Sequence, residues 1–284
     1  MRRNEEACQS EHARLFADGD WAPEDVLISE RIPPVHPAAR DALIDCYCPV
    51  KLKDGAKSQN SNNDCLVRLY LGKRRDHTTR LKPRDLFGLR NFPLCLDQMQ
   101  VLGLDTTRYA VAMAEALAIM HWETKIDAAD VEFVMGGAPC LTYKPPPNPD
   151  QVLALQEHFP ITPVASDSGY KAAYIWLLDF NQCQPMTMDE TGIGQAVKRF
   201  FDNDPYYPRP PAHPNCSDMG LWEDFKSRYL VVSQRFVNEE ERELPGKFIE
   251  RVRTAAHERR KMKDEAAQLS DNYSVFEAAA SRNC

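Results

Sequence analysis

Residues Tyr109–Met135, YAVAMAEALAIMHWETKIDAADVEFVM, join a helix to a strand through a short acidic turn. Ala110, Met113, Ala114, Leu117 and Ala118 recur at spacings of three and four, the period of a helix buried along one side, and Asp105 or Thr106 stands where an N-cap belongs. Val131–Met135 is apolar, rich in β-strand formers and closed by Gly136 and Gly137, which predicts a buried strand. A second run, Ala172–Asn181 (AAYIWLLDFN), predicts its partner over Tyr174–Phe180. Both runs carry aspartates at their polar edges, Asp127 and Asp130 on the first and Asp179 on the second.

Outward from this centre, Pro37 opens a helix through Ala38, Ala42, Leu43 and Tyr47, since proline is tolerated in a first turn. Lys53–Asp64 reads as a polar loop. Cys65–Leu71 alternates as a strand, and Leu86–Arg90 is expected to pair with it as the return arm of a hairpin. Pro93–Gly103 reads as a short helix. Beyond Asp189 the chain turns helical: Asp189–Asp202, Leu221–Val237 and Phe248 to about Gln268, interrupted by the proline-rich Asn203–Pro214. The expected organisation is a polar N-terminal segment over 1–30, a main domain over 31–252 and a charged helix and tail over 253–284. Within the main domain, 31–103 holds the small β-containing part, 104–252 the helical part with its hairpin, and 138–169 an insertion.

Of the 284 residues 43% are hydrophobic, enough for a sizeable core. The net charge of −7 argues against a general nucleic-acid or anionic-membrane binder, because such surfaces need a surplus of Lys and Arg. Nine cysteines at irregular spacing fit reduced thiols in the cytoplasm or nucleus, and no apolar run is long enough to cross a bilayer.

Several constellations invite chemistry. Cys46, Cys48 and Cys65 with His36 form the nearest thing to a zinc set, but a single Cys-x-Cys lacks its second pair, so zinc is not expected. Cys140 or Cys183 with His121 or His158 could form a thiol–imidazole pair only if the fold brought them together. Gly192 and Gly194 (TGIGQAV) are a fragment of a phosphate loop without a Walker lysine. Arg68, Lys73, Arg74, Arg75, Arg80, Lys82, Arg84 and Arg90 make a basic run suited to an acidic surface or a phosphate, and Pro208–Pro211 (PRPP) has the composition of a polyproline ligand.

Helix, acidic turn, strand, insertion, strand and Asp-Phe-Asn follow one another as in a protein-kinase C-lobe, where the second strand ends in a metal-binding Asp-Phe-Gly. That resemblance implies an α+β fold, mainly helical, with a reduced antiparallel sheet of hairpins and an incomplete N-lobe. It makes Asp179 and Asp130 candidate magnesium ligands and Asp127 the one nearby candidate base. Lys125 stands where a catalytic-loop aspartate would lie, and a glycine-rich loop and a strand lysine with its glutamate are missing. The blocks RIPPVHPAARDALIDCYCP, CLVRLYLGKRR, LRNFPLCLDQMQVLGLD, ALAIMHWETKIDAADVEFVMG, WLLDFNQCQPMTMDE and FFDNDPYYPRP together resemble a fungal family of unknown function conventionally labelled a zinc finger protein domain, over about Arg31–Val252. This resemblance implies no reaction. The expectation is a noncatalytic binding or scaffolding module with a protein partner and no cofactor. A divergent phosphotransferase using Mg and ATP is the first alternative, and a zinc- or nucleic-acid-binding regulator the second.

Overall fold

In the computed structural model the described residues are 31–75, 87–138, 173–212 and 218–280. The chain divides into Met1–Ile32 and Pro33–Cys284, and every element below belongs to the second unit. The expected insertion over 138–169 lies, apart from Ala138, outside the described residues, as do Cys140 and His158.

The unit is α+β, with a four-stranded mixed sheet in the order β2-β1-β3-β4. Its strands are β1 (Val67–Tyr70), β2 (Phe92–Cys95), β3 (Glu132–Gly136) and β4 (Tyr174–Leu178). The β3–β4 pair is antiparallel over its whole length, with Val134 opposite Trp176. The expected hairpin before it does not form. Phe87–Leu89 is irregular, and β1 instead pairs in parallel with β2, Val67 opposite Phe92. Parallel pairing requires a long crossover, which Leu71–Asn91 supplies. Pro93 fits because β2 is an edge strand, where a missing N–H removes no ladder bond on the open side.

The first helix, α1 (Pro37–Tyr47), has His36 as its N-cap, the ring Nδ1 accepting from the Ala38 N–H. Lys53–Ser58, read above as loop, is a short helix, α2. The reason is local. Ala56 is buried, Asp54 and Lys57 sit at the helix ends their charges favour, and buried Asn62 ties the segment down by donating to Ala56 O (2.9 Å) and accepting from Leu89 N (2.9 Å). After β2, α3 (Leu96–Val101) ends where Gly103 adopts φ +69°.

The central helix α4 (Thr106–Ala118) is capped by Asp105, whose carboxylate accepts from Arg108 N. Its alanines let α6 (Met219–Ser233) approach closely, and α5 (Glu190–Asp202) packs against α7 (Leu244–Ala280). Rings fill the space between. Phe200 stacks on Tyr207 (centroids 5.2 Å apart), and Phe225, Tyr229 and Phe248 continue the cluster to His121. Each such pair adds roughly 0.5–1.5 kcal/mol beyond the area it buries.

The two glycines of TGIGQAV have separate roles at the start of α5. Asp189 caps this helix by accepting from Thr191 N (2.9 Å) and Gly192 N (3.0 Å), so a side-chain carboxylate fills the place an external phosphate would take. A Cβ on Gly192 would fall 1.8 Å from Thr187 O, whereas one on Gly194 meets Arg251 Nη1 at an ordinary 3.6 Å. Gly192→Ala should therefore lose about 1–3 kcal/mol, as overpacking does, while Gly194→Ala should gain about 1 kcal/mol from helix propensity. Thermal melts of the two variants check this; equal melting temperatures would contradict it.

Candidate functional site

The acidic turn leaves α4 through a π-helical turn, Ile119–Glu123, and then bends sharply. Lys125, Ala128 and Asp130 have φ of 54°, 51° and 60°, and Asp179 at the end of β4 has 68°. All four lie in the left-handed region, which non-glycine residues enter at a cost of roughly 1–2 kcal/mol each. The turn is pinned from the far side: Asp127 N donates to Gln184 O and Met186 N to Lys125 O, with a β-bridge between Ile126 and Pro185.

Asp127 sits within this knot. It is fully buried, and both oxygens are engaged. Oδ1 accepts from Ala129 N (3.1 Å) and Gln184 N (2.9 Å), and Oδ2 from Gln195 Nε2 (2.9 Å) and Arg199 Nε (3.1 Å). Burial alone would raise its pKa, but these donors, the Gln184 N–H foremost, hold the carboxyl below its ordinary value. Such a carboxylate resists protonation and has no lone pair turned outward for a substrate.

The other two predicted carboxylates take no part in these bonds. Asp130 is exposed; its N–H donates to Asn203 Oδ1 (2.8 Å) and its Oδ2 accepts from Gln182 Nε2 (2.7 Å), while Asn203 Nδ2 holds Ala128 O (2.7 Å). Asp179 is exposed at the strand end. Asp127, Asp130 and Asp179 thus do not form one ligand set, and among the described residues no group of three or more His, Cys, Asp or Glu has the placement to hold a metal ion. Beside Asp130 and Asp179 lies a cluster that sequence reading missed. Arg68 on β1 pairs with Glu132 on β3 and, through Nη1, with Asp204 (3.0 Å), which also accepts from the Tyr70 hydroxyl (2.6 Å). Burial raises the pKa of Glu132, against the pull of Arg68 and with the repulsion of Asp179, Asp204 and Asp130. Tyr206 OH and Arg68 Nε are buried here without a hydrogen-bond partner.

The remaining candidates disperse. Arg68 is spent on the sheet, Arg74 pairs with Asp218, and Arg75 pairs with Asp97 and lies over the Tyr47 ring, so this end of the basic run is structural. Arg80, Lys82 and Arg84 lie outside the described residues. Pro208 and Pro210 are buried, which removes PRPP as a free polyproline ligand. Cys48 and Cys65 are buried thiols whose pKa burial raises, Cys65 to about 12, while Cys46 is exposed. Cys183 Sγ donates to Ala129 O and His121 contacts Tyr229, so the two do not act as a pair.

A model of a family described as "Zinc finger protein" matches residues 175–241, from β4 through the end of α6 and just beyond. Within that span the Cys and His residues are Cys183, His213 and Cys216, against the four ligands of a structural zinc site. No curated protein and no solved structure matches the chain.

Proposed function

We propose that Pro33–Cys284 is a noncatalytic binding or scaffolding module of the cytoplasm or nucleus, built on a degenerate version of the kinase C-lobe plan. The supporting observation is the state of Asp127: the one residue placed to serve as a base is consumed by four donors and acts as the clamp of its own turn. Without an accessible base, phosphoryl transfer loses the group that would orient the attacking hydroxyl and take its proton. The order α4, acidic turn, β3, β4, Asp179 and then helices supports the C-lobe comparison. The free thiols at Cys46, Cys48, Cys65, Cys95 and Cys183 support a reducing compartment.

One observation favours the divergent phosphotransferase with Asp130 and Asp179 as metal ligands. Left-handed backbone at Ala128, Asp130 and Asp179 is a local strain of the kind that gathers at functional sites. Thermal melts with millimolar ATP, with and without magnesium, separate the two readings. No magnesium-dependent rise is expected, whereas a nucleotide present at about 100 times its Kd would add roughly 2.7 kcal/mol. A rise that disappears in Asp179→Ala would replace the module with the enzyme. The zinc-binding or nucleic-acid-binding regulator rests on the family description, and stoichiometric zinc in the purified protein would favour it.

A further inference from the structure

We infer that the groove between α6 and α7 is the docking surface of this module and takes an acidic, extended segment of a protein partner; the inference rests on the binding-module reading. The groove encloses about 510 Å³ and is bounded by α6, α7 and Pro210–Ala212. Its walls follow from helical spacing. Met219, Trp222, Glu223 and Lys226 share one face of α6, and Arg253, His257 and Arg260 one face of α7.

The charge is opposite in sign to that of the whole chain. Among the described residues the lining carries Lys226, Arg253 and Arg260 against Glu223, and with Glu250, which pairs with Arg253 at the edge, one positive charge remains in surplus before His257 is considered, in a protein of net charge −7. The cations are held in place. Lys226 pairs with Glu223, Arg253 with Glu250 just outside the groove (3.1 Å), and Arg260 Nη1 donates to Pro210 O (2.8 Å). Arg253 remains more than half exposed, so an incoming carboxylate can reach its guanidinium without first unfolding the site. The apolar lining that an incoming side chain can touch is that of half-buried Met219 and Pro211, with Trp222 and Pro210 buried beneath it.

This pattern fits a peptide better than a nucleic acid. Trp222 is 1% exposed and cannot offer a face on which bases stack. A short segment with carboxylates flanking an apolar side chain matches both the rim and the apolar lining.

Fluorescence anisotropy on the full chain tests this with a labelled peptide of Glu, Asp and Leu, its lysine counterpart, a single-stranded oligonucleotide and inorganic phosphate as competitor. Micromolar binding of the acidic peptide is expected, weakening with salt and falling at least about tenfold in the double variant Lys226→Glu with Arg253→Glu. His257→Glu should weaken it as well, and Lys51→Glu, on an exposed turn that does not line the groove, should not. Absence of binding, equal binding in the double variant, or preference for the oligonucleotide or for phosphate would overturn the assignment. The ATP melts report on Asp179 and this titration on the groove, so the failure of one is distinguishable from the failure of the other.

Discussion

Asp127→Asn is expected to destabilise the protein by about 2–4 kcal/mol, while Asp130→Asn and Asp179→Asn stay within about 0.5 kcal/mol of the parent. The asparagine is isosteric, so no cavity opens and the difference is electrostatic. Its carbonyl oxygen can still accept from Ala129 N and Gln184 N. Its amide nitrogen, however, would face Gln195 Nε2 and Arg199 Nε, two donors that now meet a third. Flipping the amide moves the conflict onto the two backbone N–H groups, which are fixed by the left-handed turn and cannot retreat. Hydrogen bonds to a charged partner are worth about 1.5–3 kcal/mol, and an unsatisfied buried donor adds its desolvation penalty. Asp130 offers only an exposed bond from Gln182, so its loss matters little. Urea unfolding of the three variants measures the ranking directly. If Asp127→Asn were neutral or stabilising, as for a catalytic group held at the expense of the fold, the clamp reading of Asp127 and the functional proposal built on it would both fail.

The elements that sequence pattern revealed and those it did not are divided by where their partners lie. The α4 helix shows in the period of its own side chains, and the β3 and β4 strands in their apolar runs. Asp127 was visible as an aspartate in a turn, yet its role is set by Gln184, Gln195 and Arg199, which are 57, 68 and 72 positions away. No local spacing encodes that meeting, although Gln195 and Arg199 stand four apart on one helix, a faint signal of a shared face. Arg68 reads as part of a basic run suited to an acidic surface or a phosphate when charge is counted along the chain. In the sheet, β1 lies beside β3 with Arg68 opposite Val134, and Glu132, two residues back on the same face, becomes its neighbour. The hairpin expectation failed for a similar reason: nearness in sequence suggested Leu86–Arg90 as the partner of β1, and a crossover delivered Phe92–Cys95 instead.

His121 should make the protein's stability pH-dependent well above the carboxylate range. Tyr229 OH receives the indole N–H of Trp122 (2.9 Å), and Trp can only donate, so the tyrosine proton is directed to His121 Nδ1 (2.8 Å). Nδ1 is then the acceptor, and the ring proton sits on Nε2, which is buried without a hydrogen-bond partner while the ring meets that of Phe248 edge-on at 4.9 Å. A second proton would enter an apolar cage and break the Tyr229 bond. Burial accordingly drives the pKa of His121 down from 6.5 to about 3, with a small opposing pull from Asp127. The sign follows from linkage: below pH 6.5 the unfolded chain takes up a proton that the folded one refuses. Stability is full above that pH and is lost as the pH falls towards the folded value, with a limiting slope of about 1.4 kcal/mol per pH unit. Between pH 7 and pH 5 the loss should reach about 2 kcal/mol. Asp127 adds a loss of the same sign only below its ordinary pKa of 3.8, and Glu132, whose pKa is raised by burial, acts in the opposite direction above 4.5. The slope above pH 5 is therefore chiefly the histidine's. His121→Phe should lower stability at every pH, because the Tyr229 hydroxyl loses its acceptor, but flatten that slope. Urea midpoints of the two proteins across this range decide the matter: parallel curves would mean that His121 is not the group refusing the proton.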